Sequence, residues 1–300
     1  MYYKYINSMK TTLILFFLFL VLNSCNFSKS VKKDLTSGLS STGNNISCED
    51  VYLTVNNERT TRNLFIYGET FFLNFSDVKG FTKENGNVFP EMNLVVVNPA
   101  GDTVMQTNDL MSKYADGMNY SPLLLTADLT LAAPIKSKAE YTVFVNIWDR
   151  KGKGTFRTKL DFKVRENDKI SIESSKVAYD EVYLYSKGNE KVITDNKIKF
   201  NDDTYIIIEG LKGFNEANGM VFPGLTIKAY DSAKNAILES DDLFLDYSET
   251  GISAVDLANR VSAHFSVPGT QFNNPLHCEV TVWDKKSDAK INVITDLVLE

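Results

Sequence analysis

The sequence is poor in the residue types that most often carry enzyme chemistry. It has three cysteines, two histidines and two tryptophans in 300 residues. Both histidines, His264 and His277, lie in the second half, so a histidine-based metal or catalytic site would be confined there. The nucleophile pattern Gly-x-Ser-x-Gly and the zinc pattern His-Glu-x-x-His are both absent. We therefore expect no enzyme activity, no metal site and no cofactor.

Basic clusters and long apolar runs are missing too. The formal net charge is −6, and no group of Lys and Arg is interleaved with aromatic residues. Phosphate binding needs a concentrated basic surface, so a nucleic-acid partner is not expected. The apolar run at residues 13–22 is shorter than the roughly 20 residues that a membrane-spanning helix requires. We therefore interpret it as part of an export signal.

The N-terminal stretch is typical of an exported protein. Lys4 and Lys10 precede the apolar run, and Leu22-Asn23-Ser24-Cys25 follows it. This tetrad resembles a bacterial lipobox, of the kind found in Bacteroidetes-like lipoproteins. The resemblance implies that residues 1–24 are a signal peptide and that Cys25 carries the lipid. It also implies attachment to the membrane through that lipid, in the cell envelope and most readily at the outer membrane, with the periplasmic or surface face left open.

Residues 25–47 are rich in Ser, Gly and Asn and show no apolar period. Such a composition is typical of a flexible linker. We predict a lipid-anchored tether here, with folded structure beginning at residue 48. Cys48 and Cys278 then lie in different parts of the chain without counterparts, so no disulfide framework is implied.

The chain is a tandem repeat. Residues 79–90 and 212–223 agree at eight of twelve positions at an offset of 133 residues. Further matches follow, including Tyr114 with Tyr247 and Trp148-Asp149 with Trp283-Asp284. Two copies of one structural unit explain such a correspondence.

Each copy has the pattern of an all-β domain. Short runs rich in Val, Ile, Phe, Tyr and Thr are separated by turn residues, and helical periodicity is limited to single turns. We predict two tandem immunoglobulin-like antiparallel β-sandwich domains, at residues 48–166 and 167–300. The segment 166–181 joins them, and Ile170, Ile172 and Val177 predict an extra strand within it.

The stretch that both copies share has two interpretations. Asn85-Gly86 and Asn218-Gly219 are the dipeptides of a tight hairpin turn, and Gly80 and Gly213 favour a bend. In the first interpretation, the stretch is a structural hairpin that covers one end of each sandwich, and its prolines end strand pairing at an edge. The competing interpretation is a ligand-binding loop kept in both copies.

Trp148 and Trp283 are the candidate ligand contacts. Alternation along their strands places both rings on the more polar face. Either a turn or the partner domain covers them, or they form a stacking platform for a sugar. Asp109, Asp241 and Asp242 precede Leu residues in a pattern that favours turn capping over a metal site.

Two segments resemble the Asp-Ser/Thr-aliphatic acceptor for O-glycosylation in Bacteroidetes. They are Asp102-Thr103-Val104 and Asp231-Ser232-Ala233, which makes Thr103 and Ser232 the candidate acceptors.

These patterns together predict a lipid-anchored envelope protein that acts as a non-catalytic binding or scaffold module. Its partner would be another envelope protein or a glycan. The alternatives are a glycan-binding outer-membrane lipoprotein and a fimbrial or adhesin-like subunit.

Overall fold

The computed structural model describes residues 29–33 and 36–300. Its regular structure is almost entirely β-strand, as predicted. The strands of the first domain are β1 (Lys29–Lys33), β2 (Ser40–Asn44), β3 (Asp50–Val55), β4 (Glu58–Thr60), β5 (Leu64–Ile66), β6 (Thr70–Ser76), β7 (Pro90–Val97), β8 (Thr103–Gln106), β9 (Leu125–Thr130), β10 (Ala139–Asp149) and β11 (Thr155–Arg165).

Two sheets form the first domain. One has the order β1-β2-β11-β10-β7-β8, with β5 added in parallel beside β11, and the other has the order β4-β3-β6-β9. Alternate residues of each strand point inward, as in β10, where Val143, Val145 and Ile147 are buried. Phe71, Phe162 and Phe65 fill the space between the sheets as packed aromatic rings. The first domain is therefore an antiparallel sandwich with one continuous core.

The second domain repeats this plan. Its strands are β12 (Ile170–Ser175), β13 (Glu181–Ser186), β14 (Lys191–Ile193), β15 (Lys197–Ile198), β16 (Thr204–Glu209), β17 (Met220–Val221), β18 (Pro223–Tyr230), β19 (Ala236–Glu239), β20 (Ile252–Ser253), β21 (Val261–Phe265), β22 (Leu276–Asp284) and β23 (Lys290–Leu299). A single short α-helix among the described residues, α1 (Ala254–Asn259), begins after Ser253, whose side chain accepts a hydrogen bond from the Asp256 N–H. The sheet orders are β12-β23-β22-β18-β19, with β15 beside β23, and β14-β13-β16-β21.

The predicted flexible tether at residues 25–47 is wrong in the part that the structure describes. β2 pairs with β11 along five residues, and Leu39 and Ile46 belong to the first core. The inward positions of this segment are Leu39, Ser41 and Gly43, and a Cβ on Gly43 would lie 2.1 Å from the Ile46 carbonyl oxygen. Because Ser41 and Gly43 occupy the inward positions within β2, the segment shows no apolar period although it is a strand. Cys25 and residues 26–28 lie outside the described residues.

The duplication consequently begins before residue 48. β12, the predicted extra strand in the segment between the copies, occupies the place in the second domain that β2 has in the first. Asn45 and Lys176, which follow these two strands, both have positive φ angles of 61° and 59°. Each copy thus opens with a strand that pairs with its own last long strand.

The two domains meet through buried contacts. The Tyr67 and Tyr183 rings have centroids 5.4 Å apart, and Tyr183 packs against the core of the first domain. The Ser137 N–H donates to Glu181 Oε1 at 2.7 Å, with both residues buried. At Gly68 the approach is so close that a Cβ would lie 2.3 Å from the Val192 side chain. The joint is therefore a packed interface rather than a free linker.

Candidate functional site

The stretch shared by both copies forms the predicted hairpin. Asn85 and Gly86 have φ angles of 53° and 84°, and Asn218 and Gly219 have 54° and 78°. These positive values are those of a two-residue turn of type I′. Val88 and Val221 are buried in their cores, and Phe81 and Phe214 pack against them. Pro90 and Pro223, however, begin strands β7 and β18 instead of ending strand pairing, because a proline is accepted at the first position of a strand.

The two bend glycines are required by close contact as well as by backbone angle. Gly80 and Gly213 have φ angles of 101° and 102°. A Cβ at Gly80 would lie 1.8 Å from the Asn45 carbonyl oxygen, and one at Gly213 would lie 2.1 Å from the Lys176 carbonyl oxygen. Both glycines therefore allow the hairpin to lie directly against the end of the opening strand.

Asp149 and Asp284 hold these hairpins in place, a role that the sequence alone did not predict. Asp149 Oδ2 accepts a hydrogen bond from the Thr82 N–H at 2.7 Å, and Asp284 Oδ2 accepts one from the Asn215 N–H at 2.7 Å. Both carboxylates are buried, with 4% and 2% exposure. The Trp-Asp dipeptide that both copies share is the signal that could have identified these aspartates. Only its tryptophan was predicted to have a role.

Further hydrogen bonds tie each aspartate to its own turn. Asp149 Oδ1 accepts from the Lys151 N–H, and Asp284 Oδ1 accepts from the Lys286 N–H. The Ser287 hydroxyl also donates to Asp284, at 2.6 Å. Each buried carboxylate therefore joins two loops at the same end of its sandwich, and no ligand is needed to explain why both copies have it.

Trp148 and Trp283 are half-buried on the outward face of their sheets, as alternation predicts. The Trp148 indole N–H donates to a Glu91 carboxylate oxygen on the neighbouring strand. The residue in the place of Glu91 in the second domain is Gly224, and the Trp283 ring lies over it, so that a Cβ there would be 2.1 Å from the ring. The two tryptophans thus occupy equivalent positions with different surroundings.

The outward sheet faces around the tryptophans also differ. In the first domain, Asn146 donates to Asn93 and Arg157 lies 4.0 Å above the Phe144 ring. In the second, His277 contacts Asp296 at 2.7 Å and Glu279 at 3.2 Å. Hydrogen bonding to Asp296, and then to Glu279, raises the pKa of His277. Neither face brings a second tryptophan beside the first.

Two of the three aspartates assigned to turn capping cap a turn, one in each domain. Asp109 Oδ1 accepts from the Met92 and Met111 N–H groups, and Asp242 Oδ1 accepts from the Leu225 and Phe244 N–H groups. Burial would raise the pKa of Asp242, but hydrogen bonds from Lys285 and the two N–H groups outweigh it and lower that pKa. The equivalence runs from Asp109 to Asp242, so Asp241 has no such role.

Thr103 and Ser232 are both exposed but are not equivalent to each other. Thr103 is the first residue of β8, whereas Ser232 lies in the turn before β19. Asp231, which precedes Ser232, is buried and accepts from the Ala233 and Asn235 N–H groups. That aspartate has a structural reason to be present, and O-glycosylation of either residue stays a prediction.

The cysteines of the folded domains are buried free thiols. Burial raises the pKa of Cys48 and of Cys278 to about 12. Over residues 29–33 and 36–300, no group of three or more His, Cys, Asp and Glu side chains could hold a metal ion. Helices with the length and hydropathy of a membrane span are likewise absent from these residues.

Comparisons with known proteins identify no family for this chain. No protein-family model and no curated protein match the sequence. Among solved structures, the fibronectin(III)-like modules of Clostridium thermocellum CbhA are 9% identical, with 82% of this chain and 94% of that chain covered and a TM-score of 0.20. A DUF3823 family protein from Bacteroides ovatus is 12% identical over 74% and 94%, with a TM-score of 0.24.

The trypsin-activated alpha-2-macroglobulin of Escherichia coli is 10% identical, with 84% of this chain and 16% of that chain covered and a TM-score of 0.25. At such low identities and scores, these likenesses say nothing about what this chain binds. The immunoglobulin-like sandwich fold is established by the sheet orders described above.

Proposed function

We propose that the chain is a lipid-anchored cell-envelope protein whose two docked sandwiches act together as a non-catalytic binding or scaffold module. The observation that carries this proposal is the buried junction. Tyr67, Tyr183, Ser137 and Glu181 join the domains through ring packing and a buried hydrogen bond. We propose that the packing of Tyr183 against the first core restricts the relative motion of the domains, so that their outer surfaces keep one arrangement, which suits a scaffold.

The shared stretch supports a structural rather than a ligand-binding role for the most similar part of the two copies. Its glycines, its Asn-Gly turns and the buried Asp149 and Asp284 are all explained by contacts within one domain. Binding is therefore better sought on surfaces where the copies differ.

Anchoring at Cys25 would place the first domain close to the membrane. Only residues 26–28 separate Cys25 from β1, which starts at Lys29. Four Cα steps reach at most about 14 Å. β1 is also attached to the domain, since Lys32 Nζ donates to the Cys48 carbonyl oxygen at 3.0 Å. The module would thus lie near the lipid surface instead of extending far from it.

The anchor is tested by mass spectrometry of the N-terminal peptide and by detergent-phase partitioning, with Cys25→Ala as the variant. We expect a diacylated Cys25 and recovery of the chain in the detergent phase, and recovery of Cys25→Ala as an unlipidated precursor. An unmodified Cys25 in the mature chain would contradict the anchor.

The binding role is tested by chemical cross-linking in intact cells, followed by purification from solubilised envelope. A reproducible partner is expected, and its capture should survive Cys48→Ala because that thiol is buried. Failure to recover any partner above background would contradict a scaffold role.

Glycan binding is the second candidate, favoured by the half-exposed Trp148 beside Glu91, Asn146 and Asn93. A glycan array with Trp148→Ala and Trp283→Ala as matched variants tests whether either ring contacts a sugar.

A further inference from the structure

The outward face of sheet β14-β13-β16-β21 carries a row of aromatic rings. Tyr185, Tyr205 and His264 lie directly opposite one another on three neighbouring strands. The Tyr205 and His264 rings are stacked, with centroids 5.2 Å apart and an interplanar angle of 22°. Neighbouring strands are about 4.8 Å apart, so the row is roughly 10 Å long. It is an aromatic surface that alternation alone does not reveal, because its members lie far apart in sequence.

The row has no counterpart in the first domain. At the same positions that domain has Thr54, Phe72 and Asp128, which are also opposite one another. A structural requirement of the fold would be expected in both copies, as it is for Asp149 and Asp284. The aromatic row is therefore a property of the second copy and of its place beside the first domain.

Tyr185 lies in a cleft between the two domains. The cleft has a volume of 520 Å³, within the range of small-molecule sites. The first domain contributes Phe72, Thr70 and Thr130, and the second contributes Tyr185, Lys191 and Val192. A smaller hollow of 150 Å³ adjoins it and shares Asn56, Lys191, Val192 and Thr194. The cleft exists only because the junction holds the domains together.

The polar groups of the cleft are varied and balanced in charge. The Glu69 carboxylate is already held by Arg62, at 2.8 and 2.9 Å, and by the Ile66 N–H. Glu190 and Lys191 are exposed and of opposite charge. Within residues 29–33 and 36–300, the hydroxyls of Tyr185 and Tyr205 have no protein hydrogen-bond partner. The site therefore offers ring faces, hydroxyls and amides without an excess of either charge.

We propose that this interdomain cleft binds a neutral oligosaccharide, with Tyr185 and Phe72 as the stacking residues and the row towards His264 extending the platform. Sugar rings have apolar C–H faces and hydroxyls at their edges, which match aromatic faces bordered by Tyr hydroxyls, Thr hydroxyls and Asn amides. This proposal does not depend on the lipid anchor or on a protein partner. It also places the sugar contact away from both tryptophans.

The test is saturation-transfer NMR and isothermal titration of the mature full-length protein with neutral gluco-, manno-, xylo- and chito-oligosaccharides of three to six units. We expect at least one of them to bind. Tyr185→Ala and Phe72→Ala should each weaken that binding roughly tenfold or more. Tyr120→Ala is the matched control, because this exposed ring lies outside the cleft, and it should bind as the unaltered protein does. Trp148→Ala is measured beside it to test the tryptophan face separately.

Thermal unfolding of each variant checks that loss of binding is not loss of folding. The proposal is overturned if no neutral oligosaccharide binds at about 10 mM, or if binding survives Tyr185→Ala and is lost in Trp148→Ala. Loss of a cross-linked protein partner in Tyr185→Ala, with no sugar binding, would assign the cleft to a protein side chain instead.

Discussion

The same sheet face has opposite environments in the two domains. In the first domain Asn74 lies on this face and donates to Thr54. The equivalent residue in the second domain is Ile207, which is fully buried beside Tyr183. Tyr52, the equivalent of Tyr183, has Arg59 over its ring at 4.3 Å instead of a neighbouring domain. At these two pairs of positions, the face is solvated in the first copy and covered in the second.

The charges on these two faces differ in the same way. Asp50 forms an exposed ion pair with Arg59, whereas its equivalent Glu181 is buried against Ser137. The residues that hold the hairpins, by contrast, are the same in both copies. Residues that the two copies share therefore maintain the sandwich. Residues that differ between the copies reflect whether solvent or the other domain lies against them.

The largest expected effect comes from a shared glycine. Gly80→Ala must move the backbone, since a Cβ would lie 1.8 Å from the Asn45 carbonyl oxygen. We expect a loss of roughly 3–5 kcal/mol in the free energy of unfolding, measured by urea denaturation. Gly219→Ala is the matched control, because its φ is also positive but no atom lies within 4 Å of its Cβ position. A loss of only about 1 kcal/mol is expected there. Equal losses would contradict the claim that the close approach of the Asn45 carbonyl oxygen requires a glycine at position 80.

The next effect compares the two sheet faces directly. Ile207→Asn puts an amide into a buried site and should cost roughly 2–4 kcal/mol or separate the domains. Asn74→Ile makes the reverse change on the solvated face and should cost less than about 1 kcal/mol. Urea denaturation together with small-angle scattering measures both stability and domain separation. If the two variants lose equal stability, the claim that Ile207 is covered and Asn74 is solvated is wrong.

The buried aspartates should contribute unequally. Asp284→Ala removes hydrogen bonds to Asn215, Lys286 and Ser287, and Asp149→Ala removes those to Thr82 and Lys151. We expect losses of roughly 2–3 kcal/mol, with the larger loss in Asp284→Ala. Hydrogen exchange followed by mass spectrometry should show faster exchange in residues 212–223 of that variant and not in residues 79–90. Exchange that increases equally in both hairpins would argue against independent roles.

The smallest expected effect is the pH dependence of the junction. Burial raises the pKa of Glu181 above its ordinary value of 4.5. A raised folded-state pKa means that the charged carboxylate opposes folding at neutral pH, and this cost disappears as the pH falls through the raised pKa towards 4.5. Glu181→Gln retains an acceptor for the Ser137 N–H but cannot titrate. Its stability should therefore vary less with pH, by up to roughly 1 kcal/mol, between pH 4.5 and 7 in thermal unfolding. If the pH profile of Glu181→Gln matches that of the unaltered protein, Glu181 does not contribute to the pH dependence of stability.

The fold was largely predictable because the strands alternate clearly. Leu160, Phe162 and Val164 alternate with Asp161 and Lys163, and the repeat gave every turn a second example to compare. β2 escaped prediction because Ser41 and Gly43 occupy its inward positions, where apolar side chains normally give the signal. The Asn-Gly turns were predictable from chemistry that acts within a few residues.

The candidate site was far less predictable. Trp148 and Trp283 were placed on the correct face, but their neighbours Glu91 and Gly224 come from another strand. Tyr185 and His264 are 79 residues apart in sequence, with Tyr205 between them. The three side chains come together only through strand register. The interdomain cleft further depends on how the second sandwich packs on the first, for which a single sequence has no periodic signal.

The central claim is that the two sandwiches form one docked unit. It is tested most directly by measuring the distance between two spin labels with pulsed electron paramagnetic resonance. The labels are attached at the exposed positions Lys113→Cys and Glu249→Cys, in a protein that also has the substitution Cys25→Ser. Cys48 and Cys278 are buried, with pKa values of about 12, so they should not take up label. The docked unit predicts one narrow distance distribution. A broad distribution would show that the domains move independently, and would contradict both the fixed junction and the cleft.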